Sequence, residues 1–527
     1  MGQEQSNADE VLVPDDAEAH ARAARQAIVI IHGMGEQRPM DTVRDFVRTV
    51  WEHAEGLTKA GSRPRTAPAP TPKVRQKCDS QLPPNQVWIR PDGRTGSLEL
   101  RRISTRISIA SEAFPKGVRN DFFELYWADL TGGSSWTQVL GWLRYLLFRP
   151  LSKVPRDVHL TWTVLWIVTV IGVIGAVATA LPAEVWNRAM AFLLPAALVP
   201  YAPRWGLLAI AAVLGAFVPR TATASFGRVI RYTRSDPDNI AARAAVRDRG
   251  LALLKALHAD DEYDRIILAS HSLGTILAYD LVSYLWADRF AARTIRDGSP
   301  ELAAANAVYL AGQSIKTADD LSRFRTAQAD LRRLLAARPR GGKDEPGEHW
   351  LISDLVTIGS PLTHAEFLLA ADPLDLQWRI NEREYPACPA VDEPLEGLSL
   401  WRGKKAGIVA EDAKDGRHIV FPAPGLEKSW QLHHAAPFAA VRWTNIYDPS
   451  WLVARGDQIS GPLRENFGDG IKDVSLQAVL GKRSNRFTHT RYWALDADAK
   501  QLKAVQEALN FLDKDVDELD ALTERKG

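Results

Sequence analysis

The sequence predicts an α/β fold, a mostly parallel sheet covered by helices on both faces. Short apolar, β-branched runs such as AIVIIHG (27–33) and DRIILAS (264–270) lack polar alternation, as strands buried on both faces do. Segments of helical spacing, DNIAARAAVRDRGLALLKALH (238–258) and LGTILAYDLVSYLW (273–286), alternate with such runs.

In chain order, AIVIIHG is a strand ending in glycine. Residues 60–86, with RPRTAPAPTPK, are too rich in proline for a regular element and read as a mobile loop. LELRRISTRIS (98–108) and FFELYWADL (122–130) read as strands. The helix of 238–258 has Asp236 or Asp238 near its start. Strand 264–270 and helix 273–286 follow, then strand candidates LISDLVTIGS (351–360) and VRWTNIYD (441–448), separated by a long irregular insert over 363–440. Asp496 to Glu524 reads as a charged amphipathic helix, and no internal repeat is visible.

The 65 basic and 64 acidic residues among 527 leave a formal charge of +1, which excludes a global field for attracting nucleic acid. Cys78 and Cys388 stand far apart, so no disulfide framework or structural zinc site is expected, in agreement with a reducing compartment. The N-terminus lacks a secretory pattern; Gly2 and Ser6 match the loose myristoylation pattern, but the Ala- and Arg-rich composition reads as bacterial.

One segment departs from a globular pattern. Residues 160–181, LTWTVLWIVTVIGVIGAVATAL, carry no charge, and at about 1.5 Å per residue they would cross a ~30 Å hydrocarbon core. A second apolar region, 189–218, is broken by Pro195, Pro200, Pro203 and Arg204. Arg144, Arg149, Lys153 and Arg156 precede the pair, and Arg220, Arg228, Arg231 and Arg234 follow it. The positive-inside tendency therefore predicts a two-crossing hairpin with both ends cytoplasmic, in a bacterial inner membrane. SWTQVLGWLRYLLF, just before, reads as an interfacial helix or one packed on the soluble part. The expected organisation is the first part of the α/β domain over 1–135, the interfacial helix and membrane insertion over 136–220, and the second part of the α/β domain over 221–527.

ILASHSLGT (267–275) places a serine between a strand and a helix, the setting of a nucleophile elbow, whose sharp turn requires small residues two before and two after. Centred on Ser272 these are Ser270 and Gly274; centred on Ser270 they would be Leu268 and Ser272, which crowd the turn. Ser272 is thus the candidate nucleophile. The plain alternative is a turn in which Ser272 only caps a helix. IIHGMGEQ, with Gly33 and Gly35, supplies a loop whose Met34 N–H, with that of Leu273, would form an oxyanion hole. His32 reads as positioning that loop.

In an elbow fold of this kind the acid and then the histidine follow the serine. His349, His364, His418, His433 and His434 all precede the end of WTNIYD, after which the acid is expected, so His489 is the candidate base. Asp448 and Asp457 are both candidate acids; Asp354 and Asp372 belong near the preceding strand. Adjacent His433 and His434 are poorly spaced to chelate one metal, and no metal or cofactor is expected. Ser360 reads as packing or capping. Trp378, Trp401, Phe421 and Trp430 in the insert would line an acyl pocket or pack a core.

IIHGMGEQ, FFELYWADL, SHSLGT, DLVTIGSPL, NIYDPSWLVARGDQISGPL and HTRYW, in that order, resemble the serine lipases and esterases of the α/β-hydrolase superfamily. The likeness is to the membrane-associated branch that includes DDHD-type phospholipases and GPI-inositol deacylases. It covers about half of the chain and leaves out the hairpin and the 363–440 insert, which in such enzymes commonly carries a lid. The pattern departs from GxSxG in having Ser270 for the first glycine. DQISGPL resembles the acid-bearing stretch of the DDHD type, which favours Asp457 over Asp448. The resemblance implies a membrane-anchored serine hydrolase of carboxylic esters, lipids above all. An acyltransferase with the same triad, or a non-catalytic membrane scaffold on this fold, are the alternatives.

Overall fold

The computed structural model describes residues 23–514 except 34–37, 55, 59–83, 98, 132–147, 149, 151–158, 194–231, 233–236, 291–292, 338–348, 395–415, 424, 427 and 451–454. Its centre is an eight-stranded sheet. The strands are β1 (Ala24–Ile31), β2 (Val87–Pro91), β3 (Arg101–Ile107), β4 (Val118–Leu125), β5 (Arg265–His271), β6 (Ile352–Ile358), β7 (Arg442–Tyr447) and β8 (Lys472–Ser475). They lie in the order β8-β7-β6-β5-β1-β4-β3-β2. All pairs from β8 to β4 are parallel; β3 and β2 continue the sheet antiparallel. The α/β expectation therefore holds, with an antiparallel edge.

The apolar runs explain the layering. Alternate residues of β1 point to opposite faces. Ala27, Val29 and Ile31 join one core with Leu254, Ile276, Leu281 and Leu302. Ile28 and Ile30 join another with Val43, Phe46, Trp51, Val505 and Leu509. The first face is covered by α1 (Pro237–Ala259), α2 (Gly274–Phe290), α3 (Pro300–Gly312) and α4 (Ala318–Ala336); the second by the helices Asp41–Val47 and Ala499–Leu509. Strands from both sides of the 136–220 insertion share this one sheet, so the two halves of the chain form one layer.

Several expectations need correction. The insert is not irregular throughout: it holds the helices Ala365–Leu368 and Pro373–Asn381 and short strands. The C-terminal helix is Ala499–Leu509, stopped by Asn510 at φ 44°; residues 515–527 lie outside the described residues. The proline-rich loop lies mostly outside them too, as do 132–147 of the expected interfacial helix. In the expected hairpin, residues 159–180 form one 22-residue helix, followed by a break at Leu181–Pro182 and a helix Ala183–Leu193. Most of 189–218 is not described. Counting only described residues, no helix is long and apolar enough to cross a membrane.

Candidate active site

The parallel strands end together, and the chemistry singled out from the sequence meets there. Ser272 follows β5 with φ 52°, a left-handed backbone that a side-chain-bearing residue adopts at a cost. The turn is closed by small neighbours. A Cβ on Gly274 would come within 2.4 Å of the His32 carbonyl oxygen, and one on Gly33 within 2.6 Å of Ser272 Cβ. Ser270 fits the tight position by donating its hydroxyl to the Val356 carbonyl, 3.1 Å.

Three distant side chains converge. His489 Nε2 lies 2.8 Å from Ser272 Oγ, and His489 Nδ1 lies 2.9 Å from Asp457 Oδ2. All three residues are buried. Burial by itself raises the Asp457 carboxyl, but donation from His489, from Tyr492 Oη at 2.7 Å and from the Ile459 N–H at 2.9 Å holds it below the usual carboxylate range. Asp457 is thus an ionised partner for the imidazole.

Asp448 is not that partner. Its Oδ2 accepts the hydroxyls of Ser484, 2.6 Å, and Thr488, 2.7 Å, and its carbonyl accepts the Asp457 N–H, 3.0 Å. It therefore ties the acid loop to the segment that carries His489. Asp354 is far from both, in a buried arginine cluster at the other end of the strands, and Asp372 caps the helix Pro373–Asn381.

His32 is buried between partners: Nδ1 donates to the Gly33 carbonyl, 2.8 Å, Nε2 accepts the Trp127 N–H, 3.2 Å, and the ring stacks on Trp127. That use of both nitrogens fits a loop-positioning residue. No described residue accepts the Leu273 N–H at the start of α2. Met34 and Gly35 lie outside the described residues, so only one of the two expected oxyanion donors can be placed.

Sequence reasoning missed four neighbours. His271 donates from Nε2 to the His489 carbonyl, 2.7 Å. Burial, then the neighbouring His489, pushes its pKa down to about 3, which keeps it neutral. Tyr492 shares Asp457 with His489, and Ser460 shares its hydroxyl at 2.9 Å. Gly359 has φ 61°, and a Cβ there would lie 2.8 Å from Tyr492 and 3.2 Å from Asp457. The signal for Gly359 was the glycine after the β6 run; for Tyr492, its spacing of three from His489.

Ser360 caps the turn that starts at Pro361, as read. Trp430 is in the core, bonded to Asp297, and Phe421 packs against that core. Trp378 is 60% exposed, and Trp401 is not described. Among the described residues no cluster of His, Cys, Asp and Glu could hold a metal ion, and the ring nitrogens of His433 bond the Val391 carbonyl and the Ala435 N–H. Compared with known proteins, the chain matches no family model, no curated protein and no solved structure.

Proposed function

We propose that this chain is a serine hydrolase of carboxylic esters with the α/β-hydrolase fold, anchored in a membrane and acting on lipids. The observation that carries the reading is the unbroken hydrogen-bonded line from Ser272 Oγ through His489 to an ionised Asp457, with the serine on a strained strand-to-helix turn. Ser272 Oγ attacks the ester carbonyl while His489 Nε2 takes its proton. Asp457 keeps Nδ1–H oriented and stabilises the imidazolium. The Leu273 N–H faces the charge that develops on the carbonyl oxygen. His489 then protonates the leaving alcohol, and water activated by the same ring releases the acid from Ser272.

The lipid assignment rests on the insertion. β4 runs parallel to β1 and β5, so the chain leaves it at the end of the sheet that carries Ser272. It returns through α1, which leads back to the start of β5. The intervening helix 159–180 is uncharged and exposes Ile167, Val170, Val173, Ile174 and Val177 along its length. A bilayer would cover such side chains, with the active site beside its cytoplasmic surface. The described residues of 159–180 do not by themselves amount to a span; if this helix does cross, the two halves of the sheet can meet only if a second crossing lies over 189–218, most of which is outside the described residues.

A fluorophosphonate probe tests the chemistry. The intact chain is expected to label, and Ser272→Ala to abolish labelling. No labelling of the intact chain in detergent or liposomes would favour the scaffold reading. Product analysis with a lipid ester, with and without an alcohol acceptor, separates hydrolysis from acyl transfer.

A further inference from the structure

A cavity of about 1140 Å³ opens at the opposite end of the strands from Ser272. Its walls come from the β3–β4 connection, the residues before β5, the end of α4 and the segment after the C-terminal helix. The inner wall carries charge. Among the described residues, Arg265, Arg332 and Arg442 pair with two carboxylates, Asp354 and Asp513, and all five side chains are buried.

The donors are not equally used. Arg265 bonds Ser353, Gln26, the Asn510 carbonyl and Asp354. Arg442 bonds both aspartates. Arg332, 5% exposed, spends Nη2 on Asp513 at 2.7 Å, while its buried Nε meets no acceptor among the described residues. The enclosed Nε is not reached from the cavity, but three buried guanidiniums beside two carboxylates are costly, and an anion against the rest of the Arg332 guanidinium offsets that cost. Both aspartates are held below the usual carboxylate range: burial opposes this, and the arginines outweigh it. They do not neutralise the site by taking up protons. The exposed acids Glu112, Asp261 and Asp264 and the bases Arg333 and Lys514 also line the cavity.

Apolar side chains, among them Ile109, Phe114, Ala336, Leu351 and Leu512, line much of the remainder. We propose that this cavity binds an amphipathic carboxylate, its head on Arg332 and its hydrocarbon against the apolar wall. The buried part of the wall is the positive part, and a guanidinium fork suits the planar pair of oxygens of a carboxylate. The site stands whether or not Ser272 is a nucleophile.

The test uses the full-length protein in detergent with a diazirine-bearing fatty acid, cross-linked by light and mapped by peptide mass spectrometry. Cross-links are expected within 109–114, 332–337 or 512–514. Decanoate should compete and decanol should not. Arg332→Met should weaken occupancy about tenfold or more, and Ser272→Ala should leave it unchanged. Ala336→Trp, which fills the cavity without touching the charges, should also weaken it and guards against misfolding of the arginine variant. Cross-links confined to other segments, equal competition by decanol, competition by inorganic phosphate alone, or unchanged labelling in Ala336→Trp would each overturn the proposal.

Discussion

Ser272 and Gly359 show how single positions hold the site. Ser272 accepts a left-handed backbone to put its hydroxyl 2.8 Å from the imidazole. Gly359 avoids that cost by having no Cβ, and so lets Tyr492 and Asp457 pack against it. Gly359→Ala is expected to lose roughly 1–3 kcal/mol of stability and to displace Asp457; a melting curve beside a labelling rate would check both. The two aspartates should separate cleanly. Asp457→Asn is expected to slow probe labelling by about 10⁴ through the wrong imidazole tautomer. Asp448→Asn, which loosens the loop without touching the imidazole, should cost between roughly ten- and a hundredfold. Equal effects of the two would show that the distinction between partner and brace is mistaken.

Glu124 offers a pH readout outside the triad. Burial pushes its pKa from 4.5 up to about 7, against the lowering effect of the Met40 N–H, which it accepts at 2.5 Å; Asp41 raises it further and Arg44 lowers it. A carboxyl whose folded pKa is raised binds more protons folded than unfolded, so stability falls as pH rises from about 4.5 to 7 and then levels. Glu124→Gln should remove that fall, at most about 3 kcal/mol, in denaturant titrations at pH 5 and pH 8. An identical pH profile for the two proteins would exclude Glu124 as its source.

Helices and strands were legible where local chemistry and burial agree. α4 starts at Thr317 with a reciprocal capping box to Asp320, and Thr317→Ala is expected to cost about 1 kcal/mol, measurable by thermal melting. The strands β1 and β5 announced themselves as continuous apolar runs because both of their faces are covered, whereas β6 and β7, ISDLVTI and RWTNIY, are as buried but carry polar side chains. β2 and β8 did not. β2 is five residues on an edge, mostly exposed, with Arg90 and Pro91 where a buried strand would be apolar. β8 is four residues, KDVS, too short for a pattern. Helix 159–180 follows from its uncharged run, yet a helix in sequence is not a crossing in a bilayer. If the insertion anchors the protein, alkaline carbonate should fail to extract it from membranes, and a chain lacking 136–220 should be released.

Across the protein, the parallel sheet explains why residues 272, 457 and 489 can meet. Each follows a strand whose C-terminal end lies at one rim, so connections of very different length return to one place. The other rim collects the arginine cluster and its cavity for the same reason, since the strand starts also lie together.

The amino-acid order was enough to name the elbow serine, its small neighbours, the histidine and two candidate acids, because turn sterics and strand burial act over a few residues. It could not choose between Asp448 and Asp457 without a resemblance, nor reveal Gly359, His271 or the cavity around Arg332. Those depend on which side chains face each other across hundreds of residues. Only packing of the folded chain sets such distances, and hydrogen bonds and charge pairing fall away within a few ångströms.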